Sequence, residues 1–172
     1  MNITKEIQKK IEEIILVHNI TREYAIRFET LTKKTHIQVL KEFRDAYDHF
    51  LKTLLKDEGD ETVIENLDCV LSHENRAFTD IMDILYFRLS EMIDAQSERN
   101  INQFGTNSFY GKYDEMFDFL NTSIGPVVKL RNGRGPNNRV NREEYQSIVD
   151  RCIEYYKEFK SCSANYERTN KQ

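Results

Sequence analysis

Apolar residues recur every three or four positions along most of this chain, which is the period of an amphipathic helix. The first helical segment is predicted over residues 4–18, and its apolar residues are Ile7, Ile11, Ile14 and Ile15. A second is predicted over residues 21–56, with a polar step at Lys33-Lys34-Thr35 where we expect a bend or a break. Thr4 and Thr21 stand at the two starts, and threonine is a favourable N-cap.

The apolar residues of the second segment predict its buried face. They are Tyr24, Phe28, Leu31, Ile37, Leu40, Phe43, Tyr47, Phe50, Leu51 and Leu54. Residues 56–61 then read as a turn, in which Gly59 ends one helix and Asp60 caps the next. A long helix is predicted over residues 61–98. We expect it to bury Leu67, Leu71, Phe78, Ile81, Leu85 and Leu89, which share one face.

The last part of the chain alternates between helical and irregular stretches. We predict an irregular loop at residues 100–111 and a shorter helix over residues 112–120. A second irregular loop is predicted at residues 125–141, because this stretch contains three glycines and two prolines.

Asn141 and Glu144 resemble a capping box that opens the final helix. Residues 163–172 form a polar tail, which we expect to fray. No segment has the alternating pattern of a strand. Long helices with short turns predict an all-α fold, a single domain built as an antiparallel bundle of about five helices.

Composition indicates a soluble, folded protein. Of the 172 residues, 39% are hydrophobic and 31% are charged, and only two are proline. The net charge of -4 gives no general attraction to nucleic acid, so contact with a polyanion would need a local basic patch. The three cysteines lack CxxC spacing, and no apolar run is long enough for a membrane span. We therefore expect a cytoplasmic protein without a membrane partner.

The common catalytic and cofactor motifs are missing from the sequence. It contains no Glu-x-x-His or His-Glu-x-x-His pair, no P-loop, no GxSxG and no dinucleotide fingerprint. We therefore expect neither a metal centre nor a cofactor. Among the four histidines, His18 and His73 are interpreted as surface or packing residues.

The stretch Arg44-Asp45-Ala46-Tyr47-Asp48-His49 places an arginine five residues before a histidine on a predicted helix. It resembles the Arg-x4-6-His motif of HEPN domains, which are all-helical proteins of prokaryotic defence and toxin–antitoxin systems. The resemblance implies a homodimer that acts as a metal-independent endoribonuclease, with Arg44 and His49 as its catalytic residues. His49 would exchange protons with the ribose 2′-hydroxyl or the leaving oxygen, and Arg44 would stabilise charge on the phosphoryl oxygens.

Helical geometry leaves a second role open for Arg44. Five residues correspond to about 140° around a helix, so one straight helix does not direct Arg44 and His49 at a single point. Glu74 lies as far after Gly59 as Arg44 lies before it, and a carboxylate in an apolar stripe needs a partner. Arg44 and Glu74 are therefore also predicted as a structural pair. In that case the protein is a non-catalytic helical interaction or regulatory subunit of such a system, with a cognate protein as partner.

A second candidate site is the basic stretch over residues 129–142. It holds five cations and no acid; they are Lys129, Arg131, Arg134, Arg139 and Arg142. Such a local excess predicts contact with phosphate groups of RNA. The alternative is a solvated loop whose arginines bind the carbonyls of helix ends.

Overall fold

The computed structural model of the protein describes residues 4–54, 59–104, 110–132 and 141–169. Over these residues the chain forms five helices and no strand. They are α1 (Lys5–Thr32), α2 (Ile37–Lys52), α3 (Asp60–Phe104), α4 (Tyr110–Asn132) and α5 (Arg142–Thr169). The predicted all-α fold is confirmed. Within the described ranges, no helix combines the length and the apolar character that a membrane span requires.

The chain divides into two compact units, Met1–Met82 and Asp83–Gln172, and the boundary falls within α3. The first unit contains α1, α2 and the beginning of α3. The second contains the rest of α3 together with α4 and α5. The prediction of a single domain stays a prediction.

Helix α1 is longer than its sequence pattern predicts. Thr4 caps it as expected, since its hydroxyl accepts a hydrogen bond from the Ile7 N–H at 3.3 Å. The predicted second cap at Thr21 is wrong, because Thr21 is buried inside the helix and donates to the Val17 carbonyl at 2.8 Å. The break predicted at residues 33–35 is confirmed. Lys33 adopts the left-handed conformation with a φ of 59° and ends the helix.

In the first unit, α1 and α2 form an antiparallel hairpin. The rings of Phe28 and His36 lie 5.9 Å apart beside the connection, and those of His18 and Phe43 lie 4.9 Å apart farther along. Helix α3 runs parallel to α1, because Ile7 packs near its start and His18 bonds to Glu74 farther on.

The buried face of α2 differs from the predicted one. Val39, Glu42 and Ala46 are buried. Six of the residues predicted to be inside are exposed instead; they are Ile37, Leu40, Tyr47, Phe50, Leu51 and Leu54. The reason is that α2 is apolar on two faces, and periodicity does not say which face meets the neighbouring helices.

The predicted stripe of α3 is confirmed at five positions. Leu67, Phe78, Ile81, Leu85 and Leu89 are buried, and Leu71 is half-buried. The helix extends to Phe104, so the predicted loop from residue 100 is wrong as far as that residue. Asn100 is buried, and its side-chain amide donates to the Phe159 carbonyl at 3.5 Å. This contact with α5 gives the polar side chain a partner, which local sequence cannot reveal.

Helix α4 continues well beyond the predicted stop at residue 120. It includes Gly125 and Pro126, where we predicted an irregular loop. A proline inside a helix costs about 3 kcal/mol, whereas full burial of a valine returns about 1.5–3 kcal/mol. Val127 is completely buried directly after Pro126, so packing offsets much of the penalty. Residues 105–109 and 133–140 of the two predicted loops lie outside the described residues.

The predicted start of α5 is confirmed. The Asn141 side-chain oxygen accepts from the Glu144 N–H at 3.2 Å, and its amide donates to the Glu144 carboxylate at 3.2 Å. The tail predicted to fray from residue 163 is helical as far as Thr169. Contacts of Tyr145 with Asp83 and of Phe159 with Asn100 show that α5 runs parallel to the second half of α3.

Candidate functional site

Arg44 lies on the outer face of α2. Its side chain is 66% exposed, and its guanidinium donates to the Asp45 carboxylate through Nε at 2.9 Å and through a terminal nitrogen at 2.6 Å. Arg44 holds the pKa of the Asp45 carboxyl below its usual value. An exposed pair of neighbouring residues contributes little to the fold.

The predicted bridge between Arg44 and Glu74 is wrong. Glu74 is buried, and its Oε1 lies 3.0 Å from Nδ1 of His18 on α1. The hydrogen bond to Glu74 raises the pKa of the His18 ring above its usual value. Glu74 is level with Arg44 as predicted, but its carboxylate bonds to α1 instead of α2. His18 therefore has a specific partner that its sequence context did not indicate.

A different ion pair joins α2 to α3. Glu42 is buried, and Arg76 reaches its Oε2 from α3 through Nε at 3.1 Å. Glu42 lies seventeen residues before Gly59 and Arg76 seventeen after. The hairpin register predicted for Arg44 and Glu74 is thus the observed one. The charges are reversed, with the acid on α2 and the arginine on α3.

His73 completes this pair. Its Nδ1 lies 2.8 Å from Oε2 of Glu42 and 2.7 Å from a terminal nitrogen of Arg76. A ring nitrogen can donate one hydrogen or accept one, so it serves one neighbour at a time. Donation to Glu42 satisfies all three groups, because Arg76 also bonds to Glu42 directly. That tautomer leaves Nε2 of a neutral His73 with the free lone pair.

His49 stacks on His73. The ring centroids are 5.4 Å apart and the ring planes are inclined by 28°. Nδ1 of His49 is shielded from solvent and has no hydrogen-bond partner in the described part of the chain. The structure therefore brings His49 together with His73 and not with Arg44, as the angular separation of about 140° on one helix requires.

The Arg44–Asp45 pair nevertheless borders the same cluster. Arg44 contributes most to the lowered pKa of the Asp45 carboxyl, and the charge of Arg76 contributes more weakly. The group of Glu42, His49, His73 and Arg76 is called the α2–α3 cluster below. Asp45, which binds Arg44, precedes His49 by one helical turn on α2.

The α2–α3 cluster contains the groups for acid–base chemistry without a metal. Two imidazoles lie side by side, a carboxylate orients one of them, and an arginine supplies fixed positive charge. Among the described residues, no three His, Cys, Asp or Glu side chains gather closely enough to hold a metal ion.

Glu42, His73 and Arg76 were missed in the sequence. The available signal was that Glu42 lies between Val39 and Ala46 on one helical face, level with a His-x-x-Arg pair across the predicted hairpin. The predicted stripe instead followed the larger apolar residues of the opposite face, such as Leu40 and Tyr47.

The predicted phosphate-binding stretch is described only in part. Lys129 is exposed near the end of α4, and Arg142 is the first residue of α5. The backbone of Arg131 is helical. Arg134 and Arg139 lie outside the described residues, and the contact with phosphates stays a prediction.

No family model matches the sequence, and no curated protein or solved structure is significantly similar to it. The resemblance to HEPN domains therefore rests on the Arg44–His49 motif and the all-α fold, and it stays a prediction.

Proposed function

We propose that the protein is a HEPN-like endoribonuclease of a prokaryotic defence or toxin–antitoxin system, which works as a homodimer in the cytoplasm. The observation that supports this best is the stack of His49 on His73, with Glu42 and Arg76 bonded to His73. In this arrangement His49 of the sequence motif is retained as a catalytic residue. It adds a second imidazole and a second arginine from α3.

The proposed reaction transfers two protons, one from the attacking 2′-hydroxyl and one to the leaving O5′ oxygen. Neutral His73, held by Glu42, accepts the proton of the ribose 2′-hydroxyl at Nε2 as O2′ bonds to phosphorus. Protonated His49 gives its proton to O5′ as the P–O5′ bond breaks, and Nε2 serves because Nδ1 is shielded. Arg76 and Arg44 stabilise the phosphoryl oxygens. The products are a 2′,3′-cyclic phosphate and a 5′-hydroxyl, without a metal ion.

The direct test is incubation of single-stranded RNA with purified protein in the presence of a chelator. We expect cleavage that leaves 2′,3′-cyclic phosphate ends. His49→Ala and His73→Ala should each lower the rate by at least about a hundredfold, as loss of an acid–base group does. Arg44→Ala should lower the rate while leaving the melting temperature unchanged, because its side chain is exposed.

A matched control is available on the same helix as Arg76. Arg88 is exposed to a similar degree and pairs with Glu91, but it lies in the second unit. Arg76→Ala should slow cleavage and Arg88→Ala should not. If the wild-type protein leaves RNA intact, the endoribonuclease proposal fails, and the interaction subunit becomes the better description.

The interaction subunit is favoured by a separate observation on α2. The exposed apolar residues along α2 and just beyond its end include Ile37, Leu40, Tyr47, Leu51 and Leu54. With Arg44 they repeat at alternating steps of three and four, which is the spacing of a coiled-coil seam. A face of this kind on a folded protein marks a contact with another helix.

We propose that a second copy of the chain covers this face, whichever function holds. In an antiparallel pair of α2 helices, with the two-fold axis near the middle of the seam, Lys41 of one copy lies beside Asp48 of the other. Both residues are exposed, and the symmetry makes two such oppositely charged pairs. The charges at Lys41 and Asp48 are thus complementary between the two copies.

Charge exchange tests this dimer. Lys41→Asp and Asp48→Lys should each shift the protein toward monomer in light scattering after size-exclusion chromatography. The double variant restores opposite charges and should restore the dimer. Glu65→Lys changes an exposed charge on α3 and serves as the control. A wild-type protein that is monomeric at all concentrations contradicts the proposal.

RNA contact by the basic stretch is tested separately. Replacement of Arg131 and Arg134 by Gln should weaken binding to RNA and make it less dependent on salt, because fewer counterions are released. An unchanged salt slope would exclude this stretch as the RNA contact.

A further inference from the structure

A cavity of about 390 Å³ lies between α1, α2 and α3 in the first unit. Its walls are mostly apolar and include Ile14, Phe43, Phe50 and Val70. The volume falls within the range of sites that bind small molecules in other proteins. The α2–α3 cluster does not line this cavity, so its role is separate from the proposed RNA chemistry.

One carboxylate belongs to the lining of this apolar cavity. Glu74 is 96% buried, since only 4% of its surface is exposed. His18, which also lines the cavity, bonds to Oε1. Oε2 is shielded from solvent and has no hydrogen-bond partner among the described residues. A buried carboxylate oxygen without a donor is uncommon in folded proteins and calls for a missing partner.

The aromatic residues of α2 specify the charge of that partner further. Phe43, Tyr47 and Phe50 line the same cavity as Glu74. Aromatic faces attract cations, and a carboxylate in apolar surroundings attracts them strongly. An anion would face the Glu74 charge without compensation.

We propose that this cavity binds a small molecule with a protonated amine and an apolar body. The ammonium group binds the Glu74 carboxylate, and the apolar body packs against Phe43 and Phe50.

Calorimetric titration with three phenylalkyl probes of similar size tests the charge requirement. The probes are 2-phenylethylamine, which is protonated at neutral pH, the neutral 2-phenylethanol and the anionic 3-phenylpropanoate. We expect the amine to bind with a dissociation constant of about 1 mM or lower. The alcohol should bind at least about tenfold more weakly, because it cannot compensate the carboxylate charge. No binding of the anion is expected.

Variants locate the site. Glu74→Gln keeps the size of the side chain and should weaken amine binding at least about tenfold. Glu65→Gln removes an exposed carboxylate from the same helix and should leave binding unchanged. Phe50→Leu keeps an apolar side chain at a position that is 37% exposed, so it keeps the fold, and loss of the aromatic face should weaken amine binding several-fold.

Three results would overturn the proposal. They are equal binding of the amine and the alcohol, unchanged amine binding in Phe50→Leu together with Glu74→Gln, and no heat of binding for any probe in the wild-type protein. The last result would mean that water alone occupies the cavity. RNA cleavage is measured in a separate assay. A failure of amine binding therefore does not decide the endoribonuclease proposal, and a failure of RNA cleavage does not decide the amine proposal.

Discussion

Two buried glutamates in the first unit face different surroundings. Glu42 receives hydrogen bonds on both carboxylate oxygens, from Gln38 at 3.0 Å on Oε1 and from His73 and Arg76 on Oε2. In the described part of the chain, Glu74 is bonded through Oε1 to His18, and Oε2 has no partner. The fully bonded glutamate holds α2 against α3, whereas the half-bonded one lines an open cavity. The difference shows that burial of a charge serves the fold at one position and leaves a binding group at the other.

An apolar residue of α3, the helix of Glu74, sets the scale for the stability effects of both glutamates. Phe78 is completely buried in α3. Phe78→Ala should lower the free energy of unfolding by about 3–5 kcal/mol, through lost burial and the cavity that remains. Denaturant unfolding monitored by circular dichroism measures this loss. A loss below about 1 kcal/mol would mean that this face of α3 is not core.

Removal of the fully bonded carboxylate should be nearly as damaging. Glu42→Ala leaves His73 and Arg76 without their shared acceptor and should cost about 3 kcal/mol. The value is at the lower end for a buried pair because the Arg76 side chain is 48% exposed and can be solvated. Glu65→Ala, at an exposed position of α3, is the control. Equal stability of the two variants would show that Glu42 does not join the helices.

Replacement of the half-bonded carboxylate should cost far less. Glu74→Met keeps the side-chain volume and removes a buried oxygen without a donor, so the free energy of unfolding should stay within about 1 kcal/mol of the wild type or rise. The same denaturant experiment compares it with Glu42→Met. Should both substitutions be equally costly, Oε2 of Glu74 has a donor, and the contrast between the two glutamates disappears.

The smallest expected effect is a pH dependence from His18. Its pKa is raised mainly by the hydrogen bond to Glu74, and burial and Arg22 oppose the rise. A raised pKa in the folded state stabilises the protein below the unfolded pKa of about 6.5. This stabilisation is lost as pH increases through the raised pKa.

Thermal unfolding measured from acid to mildly alkaline pH should detect this loss. The His18 side chain is 42% exposed, so solvent screens the effect to less than about 1 kcal/mol. His18→Gln should flatten the dependence, whereas His36→Gln should retain it. An identical slope in wild type and His18→Gln would assign the pH dependence to other groups.

Local sequence was sufficient for the features that depend on neighbours along the chain. The caps at Thr4 and Asn141, the break at Lys33 and the stripe from Leu67 to Leu89 follow from backbone preference and helical period. The hairpin register about Gly59 was also predictable, because the helices on either side leave it in opposite directions.

The extent of the helices required information from distant residues. Asn100 is helical because the Phe159 carbonyl accepts its amide proton, and α4 passes Pro126 because Val127 is buried beyond it. Such contacts join residues far apart in sequence. Their energy can exceed a local preference for a loop, which periodicity alone does not measure.

The sequence by itself determined that the chain is helical and where most helices begin. It also determined which residues of α2 and α3 lie level on either side of Gly59. Only the tertiary structure decided which face of α2 is buried, and that choice controls the candidate site. It turned Glu42 inward to His73 and Arg76 and left Arg44 in solvent with Asp45. Glu74 was bonded to His18 instead. The physical reason is that the rotation of a helix about its axis depends on the summed packing of all its neighbours, whereas spacing along one helix defines only which residues share a face.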